Sequence, residues 1–424
     1  MLKFILVKTI LKKKKTLIII AFYLIIFLTS LILNIHNATL YNPKHGFDGI
    51  DHLSYILYLN KNWQLPSTAL LKETHQSPLY YFIGAVLIKL FGTWKASQYI
   101  NVFVFWLIIG VISLTLWRVF KKMKSVLVGA FSLIALPMLN IFPPMLTNEL
   151  LNTLWIICCF SVLVFLCYAE KKQQISKLLG LFFLFLLIGY WTKVSILLVV
   201  PIFFISFIIL LIKNKKIFLF IILSTTIFSI ISVILMTPIY KRAHERYSGS
   251  DITTNFIKSK VTIRKDYQFF YRLDWIWKVD MYNTQYYSMI GAAWNSFWTD
   301  GHNAITPFIK FHKKSFVLWS LGFVLLPICL YGLILLNRKN KGISLVVNLM
   351  GIFMLLIYIC YNLNNHYSAA RLTYETGIIV PYAFGMASAS ENKKIKRLLL
   401  FLLSIQFVVM VSFFWIQPWW HVTK

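Results

Sequence analysis

Carboxylates are scarce in this sequence, with only 13 Asp and Glu among 424 residues, so their positions are informative. Asp48 and Asp51 lie in a short polar segment before the apolar run 53–59, and His52 follows directly. A carboxylate in such a segment can act as a general base, and His52 lies one helical turn beyond Asp48. The run 53–59 predicts an amphipathic helix on a membrane surface, so capping of that helix by one aspartate remains an alternative.

Glu149 is the next informative carboxylate, because it ends a polar break between the apolar runs 126–143 and 150–169. At the edge of a membrane span, an ionisable group is costly unless it is paired or takes part in function. The alternative is a carboxylate at the favourable N-terminal end of the following helix. Both interpretations of Glu149 stay open at this point.

Two basic residues also lie in breaks between predicted membrane spans. Lys193 stands between two apolar runs, and Arg371 follows a polar stretch that contains Tyr367. The default interpretation of each is a basic side chain that reaches toward the membrane interface. Beside carboxylates that can deprotonate a hydroxyl, however, such cations could hold the phosphate of a departing lipid-phosphate group.

A third polar segment contains His75 and Gln76 and runs through Pro78 and Tyr80 into the apolar stretch 78–93. Proline at this place fits the first turn of a helix, and tyrosines are typical of a membrane interface. We therefore expect His75, Gln76 and Tyr80 near the membrane surface, close to the aspartates.

The composition predicts that membrane-spanning segments position these residues. Hydrophobic residues make up 59% of the chain and charged residues 13%. The net charge of +30 arises from Lys and Arg in small clusters at the ends of apolar runs. That arrangement is typical of membrane topology and excludes a nucleic-acid groove as the explanation. The five cysteines lie in apolar segments without metal-binding or redox spacing.

The apolar runs predict about eleven membrane spans in a single transmembrane domain, 1–424. If the basic clusters all face the cytoplasm, an even number of spans must separate consecutive clusters. Between Lys15 and Lys121 there are three apolar stretches, so the shortest, 78–93, is predicted to lie in or re-enter the outer leaflet. The predicted spans are 16–35, 97–118, 126–143, 150–169, 178–191, 194–212, 217–239, 315–337, 343–361, 374–390 and 397–417.

This topology places the N-terminus in the cytoplasm and two long segments outside the cell. The first outer loop, 36–96, contains the candidate catalytic aspartates and juxtamembrane helices. The second, 240–312, is long enough to cover a donor or an acceptor. We expect a multi-pass protein of the cell membrane whose active site lies on the outer face.

Several sequence elements, in this order, resemble those of the GT-C glycosyltransferases, which include protein O-mannosyltransferases and the lipid A aminoarabinose transferase. Their first outer loop combines an acidic element with His-(Gln)-Pro-Pro-Leu-Tyr-Tyr and an apolar stretch that ends in Leu-Phe-Gly. The elements that carry the resemblance are 48–52, 75–81, 90–92, 147–149, 189–193, 296–298, and Arg371 with Pro381.

The resemblance implies an all-α, GT-C-like bundle that transfers a sugar, with inversion, from a polyprenyl-phosphate donor to a cell-envelope glycan or lipid acceptor. It implies catalytic roles for Asp48, Asp51 and Glu149. Substrate-binding roles follow for His52, His75, Gln76, Tyr80, Lys193, Tyr367 and Arg371. Gly49 stands where the family has the Glu of an Asp-Glu pair, so a divalent metal is possible but not implied.

A flippase or transporter of a polyprenyl-linked glycan is the alternative. Transporters place ionisable residues near the middle of the membrane and often consist of repeated halves. Here the acidic residues avoid the middle of the spans, and the two halves do not resemble each other. The sequence therefore favours the transferase.

Overall fold

The computed structural model describes residues 2–44, 46, 48–68, 70–71, 73–213, 218–248, 267–274, 284–300, 313–364, 372 and 376–417. Tyr367, Arg371 and most of the segment 240–312 lie outside these ranges, so the predictions made for them stay predictions. Every regular element in the described ranges is helical, as the sequence predicts.

Helices are numbered along the chain. They are α1 (Leu2–Leu40), α2 (Gly49–Asn62), α3 (Leu79–Phe91), α4 (Tyr99–Phe120), α5 (Met123–Ile134), α6 (Pro137–Asn140), α7 (Glu149–Leu166), α8 (Lys172–Thr192), α9 (Val200–Lys213), α10 (Phe218–Ser248), α11 (Gln268–Tyr271), α12 (Thr284–Tyr287), α13 (Met289–Trp298), α14 (Lys313–Lys339), α15 (Lys341–Asn364), α16 (Ile379–Ala389) and α17 (Lys393–Phe414).

Within the described ranges, eight helices are long and apolar enough to cross a membrane, so the chain is a multi-pass membrane protein. They fall on eight of the predicted spans. The other three predicted spans, 126–143, 194–212 and 374–390, fall on shorter apolar helices. The stretch 78–93 also forms a short helix, α3, whose 13 residues are fewer than the ~20 that a perpendicular span needs.

The centre of the bundle is α7. Of its apolar window, 83% is buried, against 11% for the corresponding window of α10. Glycine allows close packing nearby: a Cβ atom at Gly332 in α14 would lie 1.8 Å from the carbonyl oxygen of Gly385 in α16. Lipid tails are as apolar as the side chains, so no hydrophobic effect drives membrane helices together. Their association depends instead on close packing of this kind.

Several helices extend beyond their predicted bounds, and three of them do so by five residues or more. The helix α1 continues to Leu40, α8 begins at Lys172, and α10 continues past the membrane to Ser248. An apolar run identifies only the part of a helix that lies in the membrane. Polar turns that extend the helix are therefore not predicted by it. The helix α2 forms as predicted, but Leu53 and Ile56 are buried inside the protein, whereas Leu57 is exposed.

Candidate active site

The aspartates of the first loop lie where α2 begins. Asp48 is the residue that precedes the helix, in the left-handed conformation with φ of 53°, and its side chain does not cap the helix. Its carbonyl oxygen accepts from the backbone N–H groups of Asp51 and His52, each at 2.9 Å. Asp51 lies in the first turn. The backbone of Asp48 thus starts the helix, and side-chain capping does not account for its carboxylate.

Glu73 joins the two aspartates, and sequence reasoning missed it. One carboxylate oxygen each from Asp48, Asp51 and Glu73 lie within 4.8 Å of one another. Asp48 is exposed, Asp51 is half-buried, and Glu73 is only 4% exposed. Crowded carboxylates repel one another, so a cluster of this kind favours either shared protons or a cation.

Position 49 has no room for a carboxylate side chain. A Cβ atom at Gly49 would lie 2.4 Å from the carbonyl oxygen of Pro43, so no side chain fits at that position. The tight turn before α2 therefore excludes the acidic residue that the family pattern has there. Glu73 provides a third carboxylate from the segment that joins α2 to α3.

The three carboxylates fit a divalent cation by chemistry. Hard cations such as Mg²⁺ and Mn²⁺ prefer oxygen ligands, and Mg²⁺ is commonly held by one or two carboxylates together with water and substrate phosphate. Asp51 and Glu73 would suffice for this, which leaves Asp48 available for other chemistry.

Gln76 links this carboxylate cluster to the rest of the site. Its Nε2 atom donates to the Glu73 carboxylate, which can only accept, and this fixes the orientation of the amide. Its Oε1 atom then accepts from Asn148 Nδ2 and, at 3.2 Å, from the Tyr81 hydroxyl. One amide thereby connects the first loop to the residue that precedes α7.

Tyr81 and His52 extend the network. The Tyr81 hydroxyl lies 2.9 Å from His52 Nδ1, and the His52 ring is stacked on the Tyr81 ring at 5.6 Å. Burial raises the pKa of Tyr81 well above its usual range, and Glu73 and then Glu149 raise it further. The hydroxyl therefore stays protonated and donates to Gln76 Oε1.

Glu149 is the first residue of α7 and is only 5% exposed. Its carboxylate forms an ion pair with the Lys193 ammonium group, at the end of α8. The alternative interpretations were a carboxylate at the N-terminal end of the following helix and a lysine that reaches toward the membrane interface. Glu149 does lie at the N-terminal end of α7, which stabilises its charge, and its side chain also pairs with Lys193.

The loop before α7 is held from α4. Asn101 Nδ2 donates to the carbonyl oxygens of Met145 at 2.8 Å and Thr147 at 2.9 Å. Tyr80, at the start of α3, accepts from the Thr147 N–H at 3.1 Å. These bonds satisfy buried backbone groups and fix the position from which Asn148 reaches Gln76.

The structure thus brings most of the predicted residues together. Asp48 and Asp51 lie beside Glu73, and Gln76 connects Glu73 to Asn148 and, through Tyr81, to His52. Tyr80 accepts from the Thr147 N–H, the Glu149–Lys193 pair follows Asn148 at the start of α7, and half-buried His75 lies in the same turn as Gln76. The signal that could have revealed Glu73 was the scarcity of acidic residues: it is one of only 13 in the chain, and it stands two residues before His75.

The sequence matches no protein-family model and no curated protein. Similar solved structures include ArnT from Cupriavidus metallidurans in the apo state, with a TM-score of 0.57 and 13% identity over 88% of this chain and 59% of that one. For the same protein bound to undecaprenyl phosphate, the TM-score is 0.58 at 12% identity, over 92% of this chain and 62% of that one.

The Archaeoglobus fulgidus oligosaccharyltransferase in the apo form is also similar, with a TM-score of 0.56 and 11% identity over 94% of this chain and 56% of that one. The chain therefore spans less than two thirds of the length of each of these proteins. At such low identities the likeness concerns the fold. The chain has the GT-C fold of membrane glycosyltransferases.

Proposed function

We propose that this protein is a membrane glycosyltransferase that moves a sugar from a polyprenyl-phosphate donor to a hydroxyl group of a cell-envelope glycan or lipid. The observation that carries the proposal is the carboxylate cluster of Asp48, Asp51 and Glu73, which Gln76 connects to Asn148, the residue before the Glu149 that pairs with Lys193, in a chain of GT-C fold. A carboxylate can take the proton of an attacking hydroxyl group, and a nearby cation can stabilise the phosphate that leaves.

The proposed reaction is a single displacement with inversion. The acceptor hydroxyl oxygen attacks C1 of the sugar from the face opposite the phosphate, and Asp48 takes the proton of that hydroxyl. The bond between C1 and the phosphate oxygen breaks, and its electron pair leaves with the polyprenyl phosphate. Asp48 suits the role of base because it is exposed at the cluster, whereas Glu73 is buried.

The departing phosphate needs positive charge. Lys193 is one quarter exposed and keeps its ammonium group next to Glu149, which holds it in place. Arg371 is the second cation in the proposal. A divalent cation held by Asp51 and Glu73 would, when bound, add charge stabilisation at the phosphate.

The site is proposed to lie on the outer face, with the N-terminus in the cytoplasm. At the opposite end of α4 from Asn101, Lys122 and Lys339 both form ion pairs with Glu391, among several further lysines. Since basic residues accumulate on the cytoplasmic side, that end is assigned to the cytoplasm and the carboxylate cluster to the outside.

Mass spectrometry of envelope glycans from cells with and without the protein tests this proposal and identifies the sugar. We expect one glycan of the wild-type envelope to lose a single sugar substituent when the protein is removed, and to regain it on complementation. Identical glycans in the two strains would contradict the proposal.

A further inference from the structure

Arg242 lies where the apolar part of α10, 218–242, ends. Its Nη2 atom donates to the carbonyl oxygens of Pro66 at 2.6 Å and Thr74 at 2.9 Å. An Nη atom carries two hydrogens, so both are used. One guanidinium group therefore ties two points of the segment 63–78, which joins α2 to α3 and is called the strap below.

The strap is also held by its own hydroxyl groups. The Thr74 hydroxyl lies 2.7 Å from the carbonyl oxygen of Leu71 and 3.0 Å from that of Thr68. The Ser77 hydroxyl donates to the carbonyl oxygen of Tyr190 in α8 at 2.7 Å. Arg242 thus holds the strap at two points, Pro66 and Thr74.

Glu73 is the residue next to the second of these tied points. Its side chain is buried and reaches the carboxylates of Asp48 and Asp51. We propose that Arg242 is a positioning residue that holds the strap so that Glu73 stays against Asp48 and Asp51. The catalytic consequence rests on the function proposed above, whereas the tie itself does not.

Arginine suits this task for geometric reasons. Its planar guanidinium presents donors in a fixed arrangement, whereas a lysine ammonium is a point charge on a flexible chain. Burial raises the Tyr55 pKa, and the charge of Arg242 partly offsets that rise. The hydrogen bonds of Arg242 thus join α10 to the strap.

The decisive measurement is amide hydrogen exchange of the strap, followed by mass spectrometry on the full chain in one membrane mimetic. Arg242→Gln should speed exchange of the strap amides about tenfold, because charge-assisted hydrogen bonds to its carbonyls are lost. Lys241→Gln is the matched control, since it removes an exposed charge from the neighbouring position of the same helix and should leave the strap unchanged. Arg242→Lys should lie between the two.

Transfer kinetics then test the positioning role. We expect Arg242→Gln to lower kcat roughly tenfold to a hundredfold, because small displacements at a reacting centre are costly. The KM for the lipid donor should change less than about twofold. Arg242→Lys should recover part of the strap protection and part of kcat together, which a general loss of stability would not produce.

The outcomes are separable. Unchanged strap exchange in Arg242→Gln would overturn the proposal, whatever the activity. Faster strap exchange with wild-type kcat would also overturn it, because the tie would then position nothing. If the wild type transferred no sugar, the proposed function would fail, and the exchange measurement alone would decide whether Arg242 holds the strap.

Discussion

Two charged regions lie at opposite ends of α4, a helix of 22 residues and therefore about 33 Å long. The site end holds Asp48, Asp51, Glu73 and the Glu149–Lys193 pair. The far end holds Glu391, which pairs with both Lys122 and Lys339. Carboxylates therefore outnumber cations within the first group, and cations outnumber the carboxylate within the second.

Burial of the lysines separates the two regions as well. The Lys193 side chain is 25% exposed, whereas those of Lys122 and Lys339 are 63% and 51% exposed, although both carboxylates are buried, Glu149 at 6% and Glu391 at 10%. An exposed lysine gains little from an ion pair, while a buried charge requires its partner. The far end has the properties of a membrane-facing anchor, and the site end keeps costly charges that an anchor does not need.

The largest effect is expected from Asp48→Asn. The substitution should lower kcat for sugar transfer by about 10²–10⁴, because the general base is lost. Asparagine tolerates the left-handed conformation that Asp48 adopts at φ of 53°, so the turn before α2 should persist. Asp274→Asn, at an exposed aspartate that pairs with Arg272 at 3.4 Å, is the matched control and should keep wild-type kcat.

Removal of one partner of the buried pair should destabilise the protein asymmetrically. Lys193→Met leaves the Glu149 charge buried and should lower the free energy of unfolding by about 3 kcal/mol. Glu149→Gln leaves the more exposed Lys193 and should cost less, about 1–2 kcal/mol. The double variant should recover part of the loss. Equal costs for the two single variants, measured in mixed micelles, would contradict this description of the pair.

A divalent cation should act at the site end alone. A chelator should slow transfer, and added Mg²⁺ or Mn²⁺ should restore it, because three carboxylates would otherwise repel one another. Glu73→Gln should raise the metal concentration for half-maximal rate about tenfold or more. Glu391→Gln at the far end should leave that concentration unchanged. If the chelator left the transfer rate of the wild type unchanged, a catalytic divalent cation would be ruled out.

The smallest effect is expected at the far end. Lys122→Met removes an exposed partner that lies 2.6 Å from Glu391, and Lys339 remains beside the carboxylate. The free energy of unfolding should fall by less than about 1 kcal/mol, and kcat should not change. A loss as large as that of Lys193→Met would remove the distinction between the two regions.

Sequence predicted the fold well because a bilayer imposes a length and a polarity on each helix. Eight of the eleven predicted spans fall on long apolar helices, whereas the other three fall on shorter apolar helices, as does the stretch 78–93. The ends of α1, α8 and α10 were missed, because polar turns that extend a helix carry no apolar period. Side-chain contacts between helices are set by packing, which periodicity does not encode.

The sequence predicted which residues belong to the candidate site better than it predicted the contacts between them. Asp48, Asp51 and Glu149 were recognised because carboxylates are scarce and stand beside apolar runs. Glu73 was missed, because only the folded chain brings its carboxylate beside those of Asp48 and Asp51. Arg242 was missed because its contacts are backbone carbonyls more than 160 residues away in the chain.

The most direct test of a transfer site around Asp48 uses sealed vesicles that contain purified protein, a radiolabelled polyprenyl-phosphate sugar and membrane extract from cells lacking the protein. We predict that the wild type transfers label to an acceptor and that Asp48→Asn does not, although it retains the labelled donor. Movement of the labelled lipid across the bilayer without transfer would identify a transporter instead. Equal transfer by the two proteins would contradict the assignment of Asp48 as the base.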